Sequence, residues 1–536
     1  MSWPSINVSE SSVDRCVETI RPSAWLAAGS IIFVLAVMVR LPSCTESFWL
    51  DELHSAWSVW GSLGEVASRA MAGNQTPFYF WGLWAWKQVM GDSELMLRLP
   101  SVLASATAAA VITIGLIKTR QNVLAGVIAG LVMAVESNSI FYGTELRPFS
   151  IVILLSAIAC WIVSQSRYSM RDVRLHLTAA LVAVALIATA MQPTSMGVFG
   201  WLVAARLMSD LQNATHRKSL SEVKLTSWIC CAIVLTLVLS TVGWFSGSVL
   251  ASAWQHRTQW NSVGQAITLL QLWRIWPWFG LIVLPFCLSL IVRFVIRLQA
   301  PHTKKHSHSH CESPRYLFVV IGVLVVCTFW VVAASGIAPV FHRRYFIACL
   351  PILAWACGDA IATTANAIRR TQCHAIAKRA FAIGLAILPL ASIAFSQRNS
   401  NRLWSGDIVA VHRGEGWREA VDWLHEHHAM GKTVLLSPGL IETARMLSSL
   451  ANATDVDPQW YLTYPLSGPY RWQNVKPISL ATHPIRPNAL LVVRGNRKMG
   501  EQVLLSVRPT NGMEGQIYSF GGVQVIDLST EVLLGF

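Results

Sequence analysis

The stretch SFWLDELH, residues 47–54, decides how the chain is interpreted, because two adjacent carboxylates follow an aromatic and apolar lead. An apolar run at 23–41 ends a few residues earlier, so Asp51 and Glu52 are expected just outside a membrane. One member of a close carboxylate pair can have its pKa raised by the other, which suits a general base. The alternative is that Asp51 caps a helix over Leu53–Val59 and that both carboxylates favour its N-terminus.

The composition of the whole chain indicates an integral membrane protein. Of 536 residues, 53% are hydrophobic and 13% are charged, whereas a soluble protein of this length carries about 25% charged residues. The net charge is +14. These values argue against a large soluble enzyme, a disordered chain or a nucleic-acid-binding protein, so no nucleic acid is expected as a partner.

Apolar stretches long enough to cross a bilayer recur through the first three quarters of the chain. A transmembrane helix takes roughly 17–25 residues. About eleven candidates lie near 23–41, 98–117, 123–141, 147–164, 175–191, 193–208, 228–247, 273–296, 315–334, 345–362 and 380–396. A twelfth stretch, 77–90, is short and aromatic and carries Lys87, so we expect an interfacial helix in the first outer loop.

The distribution of Lys and Arg predicts the orientation of the chain. With the N-terminus inside, about 20 of roughly 29 basic residues before residue 397 fall on the cytoplasmic side, as the positive-inside rule requires. We therefore expect a multi-pass protein of the plasma (inner) membrane with a cytoplasmic N-terminus. Residues 1–396 would form the membrane domain.

Residues 397–536 are expected to form a small soluble α/β domain on the exoplasmic side. Apolar residues in 417–429 have helical spacing. Three short stretches have the composition of strands, namely 433–436, 489–493 and 522–526.

Two further outer loops carry charged side chains beside the membrane. The second loop holds Glu145 and Arg147 directly before Pro148, which starts the next helix. A loop this short is tied to its two helices and could present both groups inward. The alternative is an interfacial Glu–Arg pair that faces away from any substrate.

The third loop contains His342, Arg343 and Arg344, followed by Tyr345. Adjacent arginines on the outer side run against the positive-inside trend. Guanidinium groups bind phosphate bidentately, so this cluster suits a phosphate ligand. The alternative is that the arginines bind lipid headgroups or snorkel to the interface.

Other polar residues of the first loop complete the candidate site. Gln75 lies just before the aromatic helix at 77–90. Glu94 and Arg98 are four residues apart on one helical face, so a structural ion pair is an alternative to a functional role. Together the three loops suggest transfer from a lipid-linked phosphate donor, with a carboxylate activating a hydroxyl and arginine stabilising the departing phosphate.

The ordered motifs resemble those of GT-C glycosyltransferases. The likeness is to the dolichyl-phosphate-mannose–protein mannosyltransferase-like family, in its bacterial polyprenyl-phosphate-sugar branch. The matching segments are WLDE (49–52), PFYF (77–80), GDSELMLRLPS (91–101), ELR (145–147), RY (344–345) and WREA (417–420). Gln75 departs from the family, since many relatives have His or Glu near this position.

The resemblance implies a GT-C fold and a membrane glycosyltransferase that transfers a sugar from a polyprenyl-phosphate donor with inversion, on the exoplasmic face. It assigns Asp51 as the acceptor-activating base, with Glu52 beside it and Glu145 as the second-loop carboxylate. Donor-phosphate contacts would come from His342, Arg343, Arg344 and Arg147, with support from Gln75, Glu94, Arg98 and Tyr345.

Several points stay open at the level of sequence. The acceptor could be a glycan, a glycolipid or a protein, and the sugar is unassigned. No metal ligands are assigned, although two carboxylates near a phosphate are compatible with a divalent ion. The alternatives to an enzyme are a transporter or flippase of lipid-linked sugars, and a binding or sensor protein that acts through its exported domain.

Overall fold

The computed structural model describes most of the membrane part and much of the C-terminal part. The described residues are 20–165, 171–215, 257–260, 264–275, other scattered positions between 236 and 294, 316–369, 383–384, 387–394, 409, 411–427, 433–439, 458–480, 489–507 and 515–528.

Helices dominate the first three quarters of the chain. Their bounds are α1 Pro22–Arg40, α2 Leu50–Ser58, α3 Leu63–Ala72, α4 Pro77–Met90, α5 Glu94–Arg120, α6 Val123–Val135, α7 Ser137–Thr144, α8 Phe149–Ser164, α9 Arg171–Met191, α10 Met196–Thr215, α11 Leu317–Ala334 and α12 Cys349–Arg369. Helix α5 packs against α1, α6 and α8, and so lies at the centre of this bundle.

Among the described residues, four helical segments are long and apolar enough to cross a membrane: Pro22–Thr45, Glu94–Arg120, Val173–Met191 and Leu317–Ala334. Helices α6 and α7 would make a fifth span if their bent pair is counted as one. The expected spans at 228–247 and 273–296 lie largely outside the described residues, and the one at 380–396 lies partly outside them. The total of eleven therefore stays a prediction.

Helices α6 and α7 meet at a bend of 60°, and the second loop, with Glu145 and Arg147, follows α7 directly. The last carbonyl groups of α6 have no partner within the helix. Arg40, which is fully buried, donates to the carbonyl oxygens of Ala134 and Met133, each at 3.0 Å. Glu136 then caps α7 by accepting from the backbone N–H of Ser139 at 2.7 Å. The bend is thus built from specific polar contacts.

The C-terminal part contains a five-stranded sheet. Its elements are α13 Trp417–Glu426, β1 Val434–Ser437, α14 Pro458–Ser467, β2 Val475–Pro477, β3 Leu490–Arg494, α15 Arg497–Val507, β4 Gln516–Phe520 and β5 Val523–Asp527. The strand order is β2-β1-β3-β5-β4. Strand β1 is parallel to β2 and β3, whereas β5 is antiparallel to β3 and β4. The helix and the three strands expected from the sequence are confirmed.

This C-terminal α/β unit, residues 411–528, shares one hydrophobic core with the first loop, which follows α1. Helix α13 buries Trp417, Ala420, Val421 and Leu424, which follow the i, i+3, i+4, i+7 spacing of one helical face. Their cluster continues into Phe48, Leu53, Trp57 and Phe80 of the first loop, among others. The unit is therefore packed onto the loop that carries Asp51.

Candidate active site

Asp51 is the meeting point of the three loops that carry the charged residues. Helix α2 begins at Leu50, so Asp51 lies in its first turn. Its Oδ1 is 3.3 Å from Nη2 of Arg147, and its Oδ2 is 3.3 Å from Nη1 of Arg344. The Asp51 side chain is 28% exposed. A substrate can therefore reach a carboxylate that already lies between two guanidinium groups.

The two arginines keep Asp51 ionised. Burial alone would raise the pKa of this carboxyl, but the positive charges of Arg147 and Arg344 outweigh that effect and hold the pKa below its ordinary value. The alternative that Asp51 caps a helix starting at Leu53 is wrong, because α2 starts three residues earlier and Trp49 occupies the N-cap position. Its other part is confirmed, since both carboxylates lie in the first turn of the helix.

Glu52 has a different environment from its neighbour. Its side chain is fully buried and pairs with Arg98, whose Nε is 2.9 Å from Oε1. Nε of Arg413 lies 3.1 Å from Oε2, and the backbone N–H of Leu146 donates to Oε1 at 3.0 Å. Glu52 is thus enclosed by protein groups, and this geometry suits holding α2 in place better than contacting a substrate.

The alternative of an ion pair between Glu94 and Arg98 is wrong, because each side chain pairs with another residue. Arg98 contacts Glu52 of α2, and both side chains are fully buried. Glu94 instead pairs with Arg418 of α13 and accepts from the Tyr470 hydroxyl at 2.9 Å. Residues four apart on a helix are neighbours, but Glu94 and Arg98 each bind a partner from another part of the fold instead of each other.

Glu145 is buried beside this site. Its backbone oxygen accepts from the Ser101 hydroxyl at 2.7 Å, while Oε2 makes no hydrogen bond within the described part of the chain. Burial, and then the negative charge of Asp51, raise the pKa of Glu145 to about 8. Glu145 therefore holds a proton at neutral pH and can donate a hydrogen bond.

The expected interfacial pair of Glu145 with Arg147 is replaced by the contact between Arg147 and Asp51. The Glu145 oxygen does accept from the Arg147 N–H at 2.8 Å, but this bond is between backbone groups. Nη1 of Arg147 is buried without a hydrogen-bond partner in the described residues. A buried N–H group of this kind is costly unless a ligand or water satisfies it.

The third loop adds further positive charge. Nη1 of Arg343 lies 3.4 Å from Oδ1 of Asn138 in α7. Nδ1 of His342 accepts from the backbone N–H of Arg344 at 3.3 Å. Burial and the two arginines lower the pKa of His342 to about 4, so this imidazole is neutral at pH 7. The guanidinium carbon of Arg344 lies over the Tyr345 ring, 6.0 Å from the ring centroid.

The charges at the site favour an anion. Arg147, Arg343 and Arg344 carry three positive charges. Asp51 carries one negative charge, and Glu145 adds none because it is protonated. Gln75 lies half-buried between α3 and α4, and its backbone N–H donates to Ala70 at 3.0 Å. The role of Gln75 in the site stays a prediction.

Contacts from the C-terminal unit are the part that the sequence did not predict. Arg413, Glu415 and Tyr470 all reach residues next to Asp51 in the first loop. These residues are more than 360 positions from their partners, so no local spacing indicates the contacts.

A cavity of about 210 Å³ lies at the same junction. It is lined by residues of α2, α4, α5 and the C-terminal unit, and its charged lining residues are Lys87, Asp92, Glu94, Arg418 and Arg471. Asp51 and its two arginines do not line it. Within the described residues, no group of three or more His, Cys, Asp or Glu side chains is placed to hold a metal ion.

Comparisons with known proteins identify the fold. No protein-family model matches the chain, and no match is found among curated proteins. The chain is similar to the crystal structure of ArnT from Cupriavidus metallidurans bound to undecaprenyl phosphate, with a TM-score of 0.51 and 12% identity. The match covers 96% of this chain and 100% of that one.

The apo structure of the same ArnT gives an equivalent match. Its TM-score is 0.51 at 12% identity, with 95% of this chain and 99% of that chain covered. At this identity the likeness concerns the fold, which is the expected GT-C fold. Together with the four apolar helices, this fold supports an integral membrane protein.

Proposed function

We propose that the chain is a membrane glycosyltransferase that transfers a sugar from a polyprenyl-phosphate donor to an acceptor hydroxyl on the exoplasmic face. The observation that carries this proposal is the convergence of Asp51, Arg147 and Arg344 from three separate loops. The ArnT structure of the same fold is bound to undecaprenyl phosphate, which supports this donor class.

The donor phosphate would bind at the arginine cluster. Arg147 has a buried N–H group without a hydrogen-bond partner in the described residues, and Arg344 is 25% exposed, so both can turn to a phosphate. Guanidinium groups bind phosphate oxygens in pairs. Protonated Glu145 can add one hydrogen bond to the same phosphate, because its pKa is raised to about 8.

Phosphate binding changes what Asp51 can do. In the free protein its negative charge is neutralised by two arginines, which makes it a weak base. When a phosphate binds both guanidinium groups, its negative charge offsets their effect on Asp51. The pKa of Asp51 then rises toward its ordinary value. Asp51 then accepts a proton from a hydroxyl more readily, so that donor binding prepares the base.

The transfer step follows from these positions. Asp51 takes the proton of the acceptor hydroxyl as its oxygen attacks the anomeric carbon of the sugar. The bond from that carbon to the phosphate oxygen breaks, and polyprenyl phosphate leaves with the electron pair. Arg147, Arg343 and Arg344 stabilise the departing charge. Attack opposite the phosphate inverts the anomeric configuration.

The function is tested with the full chain in proteoliposomes. The probes are undecaprenyl-phosphate sugars with a water-soluble glycoside as acceptor, and the readout is release of undecaprenyl phosphate by mass spectrometry. Wild-type protein should release it, and Asp51→Asn should not. Asp422→Asn is the matched control, because Asp422 is exposed on α13. Equal activity of Asp51→Asn would remove Asp51 as the base.

The same assay separates the enzyme from a transporter. A flippase would move the intact donor across the bilayer without releasing undecaprenyl phosphate. That outcome would contradict the proposed transfer.

A further inference from the structure

The helix that carries Asp51 obtains one of its N-terminal partners from the far end of the chain, while Glu52 within the helix accepts from the Trp49 backbone N–H at 3.4 Å. The first N–H groups of a helix have no partner within it, and a capping side chain normally satisfies one. Trp49 at the N-cap position of α2 has no side-chain acceptor for this purpose. Oε2 of Glu415 instead accepts from the backbone N–H of Leu50 at 3.0 Å.

Glu415 is itself held by the C-terminal unit. Nε of Arg494 in β3 donates to its Oε1 at 2.7 Å, and Nε1 of Trp417 donates to its Oε2 at 2.9 Å. Phe48, two residues before the start of α2, has a similar partner, because the Tyr470 hydroxyl accepts from its backbone N–H at 2.9 Å. The start of α2 is therefore fixed by contacts from the sheet unit.

Arg413 reaches further into the membrane part. Its side chain is fully buried, and its Nε lies 3.1 Å from Oε2 of Glu52. Nη2 donates to the Thr144 hydroxyl at 2.9 Å, and Nη1 donates to the backbone oxygen of Ser43 at 3.4 Å. One guanidinium thus joins the segment before α2, α2 itself and the end of α7, which directly precedes Glu145.

We propose that Arg413 and Glu415 are positioning residues that hold Asp51 in its place at the candidate active site. The site is then complete only when the C-terminal unit is packed against the first loop. Glu52 is buried between two guanidinium groups, and one of these, Arg413, comes from the C-terminal side. Loss of one partner of a buried charge leaves that charge uncompensated. Helix α2 would then shift, and Asp51 with it.

The expected effect of these residues on catalysis rests on the proposed function. A pair of variants tests that effect. Arg413→Ala and Arg418→Ala each remove a guanidinium that crosses to the first loop, but Arg418 is 39% exposed and pairs with Glu94. Arg413→Ala should lower kcat about a hundredfold, since a small misplacement of a catalytic group has this effect. KM for an undecaprenyl-phosphate sugar should change by less than about threefold.

Arg418→Ala is expected to stay within about threefold of wild type, because exposed ion pairs contribute little. Unchanged kcat in Arg413→Ala would overturn the inference. An equal loss in both variants would overturn it as well, because general loosening of the junction would then explain the effect.

Hydrogen exchange of the full chain in nanodiscs gives a readout that does not depend on transfer. Peptides covering residues 48–54 should exchange faster in Arg413→Ala, while those covering 497–507 keep the wild-type rate. Arg413→Lys retains the charge but loses the fork of contacts, so its exchange should be intermediate. If Arg413→Ala does not fold, wild-type exchange at 48–54 in Arg413→Lys would overturn the inference.

The two readouts separate the two proposals. If wild-type protein transfers no sugar, the proposed function fails, while the exchange rates still decide whether Arg413 holds α2. If wild-type protein transfers sugar and Arg413→Ala shows neither faster exchange nor lower kcat, the positioning role fails alone.

Discussion

At the scale of single residues, two neighbouring carboxylates have separate environments. Asp51 is partly exposed between Arg147 and Arg344, whereas Glu52 is fully buried between Arg98 and Arg413. The exposed carboxylate can meet a substrate, and the buried one anchors the helix that carries it. Under the proposed function Asp51 would therefore carry the chemistry of the Asp-Glu motif, and Glu52 would hold the helix in place.

Arg344 is expected to act through its guanidinium shape as well as its charge. Arg344→Lys keeps the charge but cannot bind a phosphate through two N–H groups in a plane. We expect kcat/KM for an undecaprenyl-phosphate sugar to fall about a hundredfold, as for loss of one transition-state donor. Steady-state kinetics check this, with Arg497→Lys as the control because Arg497 is 70% exposed. Wild-type kcat/KM in Arg344→Lys would contradict the assigned role.

Glu145 should make the stability of the protein depend on pH. Burial and the charge of Asp51 raise its pKa from 4.5 to about 8, so the folded protein keeps a proton that the unfolded chain releases. Between these two values the folded state binds more protons, and stability therefore falls as the pH rises. Glu145→Gln has no such proton.

The unfolding temperature of wild type should consequently fall relative to that of Glu145→Gln from pH 5 to pH 8, as measured by scanning fluorimetry in detergent. Other titrating groups cancel in this difference. Parallel curves for the two proteins over that range would show that the pKa of Glu145 is not raised.

At the scale of elements, the position of the second loop depends on how closely α7 approaches α5. A Cβ atom added at Gly143 would lie 2.7 Å from the Ser105 hydroxyl oxygen and 2.8 Å from Ser105 Cβ. Such distances are shorter than normal contacts, so a side chain at Gly143 must push the two helices apart. The loop with Glu145 and Arg147 would move with α7.

Gly143→Ala should therefore destabilise the protein by about 1–3 kcal/mol, the usual effect of overpacking. Gly200→Ala in α10 is the matched control, because nothing lies within 4 Å of its added Cβ. That control should be neutral or stabilising by up to about 1 kcal/mol, since Ala favours helix over Gly. Equal unfolding temperatures for the two variants would contradict the close approach.

At the scale of the whole molecule, orientation rests on charge distribution and is open to a direct test. We predict that the N-terminus is cytoplasmic and that the C-terminal unit is outside. Alkaline phosphatase fused after Phe536 should be active in bacterial cells, because it would be exported with the C-terminal unit. Green fluorescent protein fused at the same position should be dark, because it does not become fluorescent when exported unfolded through the Sec pathway. The reverse pattern would place the candidate site on the cytoplasmic side.

Sequence patterns predicted much of this architecture but little of its long-range contacts. The helix at 417–429 and the three strands were recognisable because their apolar spacing is local. The loop charges around Asp51 were recognisable because each lies next to an apolar span. The partners of Glu52 and Glu94 were missed, since Arg413 and Arg418 are brought to them only by docking of the C-terminal unit.

The configuration of the product tests the central claim most directly. A donor of defined anomeric configuration on undecaprenyl phosphate is incubated with wild-type protein and an acceptor glycoside in proteoliposomes, and the anomeric proton of the product is read by NMR. We predict a new glycosidic bond of inverted configuration, one undecaprenyl phosphate released per bond, and neither product with Asp51→Asn. Retention of configuration, or transfer that persists in Asp51→Asn, would contradict attack by a hydroxyl that Asp51 activates.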